Sequence, residues 1–152
     1  MSRWHKAAVV RILMFACMFL SGCFFAAPIN ITGTWVGTMQ WTSGSLADFS
    51  SPIVLDLVHE DGGLSGSITL ISHSNFTFDL PLVQGRARRG ELSLVARGQN
   101  TQVQPEPTVE FSIDGTYDQT SMSGTGTQSI DDRTYTFDWQ ATLTTEPVPA
   151  GL

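Results

Sequence analysis

The sequence predicts an all-β domain, an antiparallel up-and-down barrel of about eight strands, and three observations carry that expectation. Past Ile29, apolar and polar residues alternate with period two, the pattern of strands with one buried face. Clusters of Gly, Asp and Asn cut this run into segments joined by connections of mostly hairpin length. Each segment keeps its apolar residues on one parity and Thr, Ser, Asp or Glu on the other, so a single sheet has one dry side. Sequential strands hide that side best by curling until the first meets the last, which also removes the sheet edges. A two-sheet β-sandwich fits the same pattern and is the alternative. An outer-membrane pore barrel needs the reverse, with an apolar outer face and a polar lumen.

The elements follow in order. Ile31, Trp35, Met39 and Trp41 share one face of the first strand, opposite Thr32, Thr34, Thr38, Gln40 and Thr42. Ile53, Leu55, Leu57 and His59 alternate with Val54, Asp56 and Val58. The turn Glu60-Asp61-Gly62-Gly63 then signals a hairpin, because glycine accepts positive φ without penalty. Leu64, Gly66, Ile68 and Leu70 form the dry face of the third strand, and Phe76, Phe78, Leu80 and Leu82 that of the fourth. Pro81, on the opposite parity, predicts an edge or a bulge. Arg88-Arg89-Gly90 turns into Leu92, Leu94 and Ala96, and a polar loop over 98–107 leads to Val109, Phe111, Ile113 and Tyr117. Met122, Gly124 and Gly126 follow, and Tyr135, Phe137, Trp139, Ala141 and Leu143 complete the set. Glycines on the dry parity (Gly33, Gly37, Gly66, Gly124, Gly126) suit a tightly coiled sheet.

In front of this domain lies a targeting segment. Arg3, Lys6 and Arg11 supply positive charge, Ile12–Leu20 an apolar run, and Ser21 and Gly22 small residues, which together are the parts of a secretory signal peptide. The apolar run is too short for a spanning helix, which needs about 20 residues. Leu20-Ser21-Gly22-Cys23 resembles a bacterial lipobox. That resemblance implies a diacylglyceryl group on the Cys23 thiol, cleavage before Cys23 and acylation of the new N-terminus. Several acyl chains anchor a protein far more firmly than one. It also implies a cell-envelope location, the outer membrane where there are two, since Phe24 and not Asp follows the cysteine. The expected organisation is a signal peptide over 1–22, a lipidated cysteine and tether over 23–30, a barrel over 31–144 and a disordered tail over 145–152.

Cleavage at that point leaves 130 residues, enough for one domain with a real core. They carry five arginines, no lysine and all fourteen acids, a formal charge of −9. So acidic a surface excludes nucleic-acid binding, which needs a basic footprint, and extra electrostatic adhesion to anionic lipid. Cys17 leaves with the signal and Cys23 carries lipid, so no disulfide is expected.

Ile31 to Gly37, "ITGTWVG", resembles the opening of lipocalins and their calycin relatives, where a G-x-W on the first strand sets the tryptophan across the closed end of the barrel. Gly33-Thr34-Trp35 matches that motif, and the rest of the domain agrees in layout alone. The avidins share such an opening and a helix-free eight-strand meander. On the barrel architecture, the dry-face residues Trp35, Met39, Phe76, Phe78, Phe111, Tyr135, Phe137 and Trp139 either fill the interior or line a ligand cavity.

Catalysis needs a nucleophile with a base, paired carboxylates in a cleft, or metal ligands. His59-Glu60-Asp61 with His73 matches no zinc spacing. Gly63–Ser67, "GLSGS", lacks the G-x-S-x-G spacing of a nucleophile elbow. Asp131-Asp132 reads as a turn, and the arginines of "RARRG" (Arg86, Arg88, Arg89) as a solvated face. The expectation is therefore no enzyme, metal or cofactor, but a lipid-anchored, non-catalytic binding module for a small apolar ligand. The alternatives are a protein-binding module, such as an inhibitor of an envelope-attacking hydrolase, and a structural lipoprotein. Loops at Ser43–Ser50 and Gln99–Pro107 are long and polar enough to contact an envelope protein.

Overall fold

Eight strands form where the alternation predicts them. The computed structural model describes residues 29–71, 77–101 and 106–145. The signal peptide, Cys23, most of the tether, Phe76, His73 and all but the first residue of the expected tail lie outside these residues. The strands are β1 (Gly33–Trp41), β2 (Ser50–Glu60), β3 (Gly63–Ile71), β4 (Thr77–Arg88), β5 (Glu91–Gln99), β6 (Thr108–Tyr117), β7 (Ser121–Ile130) and β8 (Arg133–Leu143). Each pairs antiparallel with its neighbour in sequence, and β1 also pairs with β8, setting Trp35 opposite Leu143 and Trp41 opposite Phe137. The sheet is thus a closed up-and-down barrel rather than a sandwich, and it has no free edge.

Inward positions are mostly apolar and outward ones mostly polar, the reverse of a lipid-facing pore barrel. Trp35, Ile53, Leu55, Ile68, Leu94 and Ile113 are fully buried. Each such side chain contributes roughly 1.5–3 kcal/mol by leaving water. No cysteine lies among the described residues, so packing and the strand ladder hold them together. Leu143, expected inside, is 37% exposed, because β8 runs past the packed interior at that end.

The turns follow their residues. Asp61 (φ 50°) and Gly62 (φ 80°) are both left-handed, as are Arg89 (φ 55°) and Gly90 (φ 84°). Two such residues in succession give the twist that matches paired strands. Pro81 announces a bulge and not an edge. Leu82 faces Ala96 and Gln84 faces Val95, so Val83, 57% exposed, is the extra residue. The same residue shifts β4 against β3 between the Ser67–Pro81 and Gly63–Arg86 pairs. Inward parity passes from Leu80 and Leu82 to Ala87 across it.

Between β6 and β7, Asp118 accepts hydrogen bonds from the Thr120 and Ser121 backbone N–H groups, each at 2.7 Å, and from both hydroxyls. The Thr120 N–H first, then the Ser121 hydroxyl and N–H, lower its pKa to about 2. A depressed carboxyl pKa stabilises the turn above the ordinary Asp value, and that contribution is lost as pH falls toward 2. NMR titration should place the Asp118 midpoint near 2, with faster amide exchange at Thr120 and Ser121 only below about pH 4. A midpoint near 4 would show that the turn does not hold the carboxylate.

Candidate functional site

The described residues expected inside fall into three groups along the barrel axis. Trp35 sits where the chain enters, and its indole Nε1–H donates to the Ile31 carbonyl at 3.0 Å. Ile31 is itself buried, and the His59 N–H donates to Thr32 Oγ1 at 2.9 Å, so residues 31–32 are fastened beneath that end. Trp35, fully buried, closes this end. Met39, Phe111, Phe137 and Trp139 are 1–3% exposed and stack along the interior. Phe111 and Phe137 lie 5.9 Å apart, and Trp41 meets Phe137 edge-on at 5.2 Å. Phe78 and Tyr135 pack against this core but are only partly buried, because they stand at the far end.

That far end carries the loops. Residues 42–49 lead from β1 to β2, and 100–107 from β5 to β6. The opposite end has the short turns 61–62, 89–90 and 118–120, together with the incoming chain. The 42–49 loop is fixed on the barrel by a single 3-10 turn, Gly44–Leu46. The Thr136 N–H donates to Ser43 Oγ at 2.7 Å, and the Thr42 N–H to the Thr136 carbonyl at 2.9 Å. Leu46 packs on the core, and Gly44 lies against the Tyr135 ring, where a Cβ would meet Cδ1 at 2.8 Å. Phe49, at the end of this loop, is 42% exposed. Trp41 meets Tyr135 edge-on at 6.3 Å under it. Gln128 faces inward at the same end, between Phe111 and Tyr135, and is 8% exposed.

The outer wall is concave over part of its circumference. One concavity of about 880 Å³ spans β4 to β7 and includes Arg86, Arg88 and Arg89. A second of about 490 Å³ continues from β7 to β2 and shares Ser123, Gly124 and Thr125 with the first. Strand register explains what lines them. Arg86, Ser93, Asp114, Thr125, Asp138 and Gln40 stand side by side on successive strands, all exposed. The next outward row is Arg88, Glu91, Thr116, Ser123, Gln140 and Thr38. Beneath them Gly115 and Gly124 face each other, and Trp139 fills the space inside. Its Nε1–H donates to the Asp114 carbonyl at 3.3 Å.

His59 is half-buried at the turn end, and Asp131 forms the β7–β8 turn with φ 50°. No group of three or more His, Cys, Asp and Glu side chains among the described residues could hold a metal ion. The sequence pointed to the interior aromatics and the two loops. It did not point to the wall, where the arginines read as an ordinary solvated face. No family model matches the chain, and no curated protein or solved structure shows significant similarity to it.

Proposed function

We propose that this chain is a lipid-anchored, non-catalytic binding module of a bacterial cell envelope that holds a partner protein on the end bearing the 42–49 and 100–107 loops. One observation carries the reading: the 42–49 loop and the described ends of the 100–107 connection lie at the end opposite the incoming chain. A tether from Cys23 would therefore hold the barrel by one end and present the other. The packed aromatic interior supports a protein partner over an enclosed ligand, since eight strands is the size at which side chains alone fill a barrel. The exposed Phe49 supplies an apolar contact on an ordered loop, the kind of anchor that protein interfaces bury. A small apolar ligand at the mouth is the second reading, favoured by the partial burial of Phe78 and Tyr135 beside Gln128.

Mass spectrometry tests both parts of the proposal. The full chain, made in a bacterial host and extracted from membranes, should begin at Cys23 and carry acyl chains, and Cys23→Ala should be found unlipidated. Residues 24–152, purified without detergent, should give the bare protein mass under native conditions. A stoichiometric small-molecule adduct would move the function into the barrel mouth. An unmodified Cys23 would remove the anchor.

A further inference from the structure

We propose that the concave outer wall across β4–β7 and onto β1 is a saccharide-binding trough, in which Arg86, Arg88 and Arg89 clamp a terminal acidic group. The reading does not depend on the loop end and concerns a different face of the barrel. Its first support is the state of the arginines. Elsewhere on this wall Arg97 faces Glu110 across β5–β6 and pairs with it, Nε to Oε2 at 2.8 Å. Arg88 faces Glu91 across β4–β5 in the same way, yet neither it, Arg86 nor Arg89 forms an ion pair among the described residues. Three of the five arginines of residues 23–152 thus lie on one concavity of an otherwise acidic domain with no ion pair among the described residues. A guanidinium presents a planar fork that fits carboxylate or phosphate oxygens, so the group they suit is an oxyacid.

The second support is what the trough offers beyond the arginines. From β5 to β1 its rows hold hydroxyls, two amides (Gln40 and Gln140) and three carboxylates, Glu91 beside Arg88 and, farther round, Asp114 and Asp138. Hydroxyls and amides both donate and accept, and carboxylates accept strongly. Such a band complements a ligand dense in hydroxyl groups. Asp114 and Asp138 would repel an acidic peptide or a polyanion charged at every unit, which selects a neutral chain with its acid at one end. The β4–β7 concavity crosses four strands, about 14 Å at about 4.8 Å per strand, room for a short oligosaccharide, and the second concavity continues it around the closed barrel onto β1. Gly115 and Gly124 keep the wall thin at its centre, since a Cβ at either would press into a neighbouring strand's backbone.

The test is NMR titration of labelled residues 24–152, which contain every strand of the closed barrel, with four probes. Sialyllactose carries a terminal carboxylate, maltosyl phosphate a terminal phosphate, lactose no charge, and triglutamate the charge without the sugar. Sialyllactose, maltosyl phosphate or both should shift the amides of Ser93, Ser123 and Thr125, and which of them does so identifies the acid. The R86Q/R88Q/R89Q variant should weaken that binding at least tenfold and leave lactose unchanged. Q140L should weaken the charged sugar and lactose together. All four substituted side chains are exposed, and an unchanged amide spectrum verifies the fold of each variant. The proposal is overturned if neither acidic sugar binds, if triglutamate binds as tightly, or if the shifts map to the loop end.

Discussion

Trp35→Ala is expected to lower stability by about 3–5 kcal/mol and the melting temperature by more than about 10 °C. Three losses combine. The indole is fully buried at the end where the chain enters, so its removal leaves a cavity that flanking strands cannot collapse into without breaking β1 away from β2 or β8. The Ile31 carbonyl loses its donor at a buried position. Residues 31–32 then lose the lid they fasten, which exposes Ile31 itself. Trp35→Phe separates these effects, because it restores most of the apolar volume but not the N–H. Chemical denaturation of both variants reads the difference. A cost below about 1 kcal/mol for the alanine variant would show that Trp35 does not seal the barrel.

Gly37→Ala is expected to cost about 3 kcal/mol or more, although it adds one methyl group. Gly37 lies opposite Ala141 on the β1–β8 seam that closes the barrel. A Cβ there would overlap the Gln140 carbonyl oxygen and stand 2.6 Å from Ala141 Cα. These are backbone atoms, so no rotamer change relieves the clash and the two strands must part. Parting them re-creates two sheet edges, and edges recruit other chains. The variant should therefore both melt early and self-associate, as read by light scattering at increasing concentration. Gly62→Ala is the control. Its φ of 80° carries a left-handed penalty of about 1–2 kcal/mol, but the nearest neighbour, the Ala87 carbonyl, is 3.5 Å away. It should lose stability without associating. Equal behaviour of the two variants would mean that backbone freedom and not close approach keeps Gly37 a glycine.

Local structure was written in the order of the residues. Period-two alternation depends only on which residues follow one another, so the strands, the turns at Asp61-Gly62 and Arg89-Gly90 and the dry faces, apart from Leu143 and the parity switch in β4, were readable. Alternation alone put Trp35 on the dry face of the first strand. Pro81 warned of an irregularity without locating it: the strand absorbs the extra residue at Val83, where neighbours on both sides allow it.

Everything that depends on register between strands came from the folded chain. A barrel and a sandwich share the same alternation, and they separate only when β1 meets β8, some hundred residues away along the chain. The two long loops fall at one end because an even number of antiparallel reversals separates them. The outer wall was the least legible of all. Its residues are the same Ser, Thr, Asp and Gln that cover every outward face here, and no one strand distinguishes them. Arg86 comes to lie beside Ser93, Asp114, Thr125 and Asp138 only through four successive pairings. Hydrophobic burial fixes which way each strand faces, whereas loop closure, the bulge and the shear of the barrel fix how far each strand slides past the next.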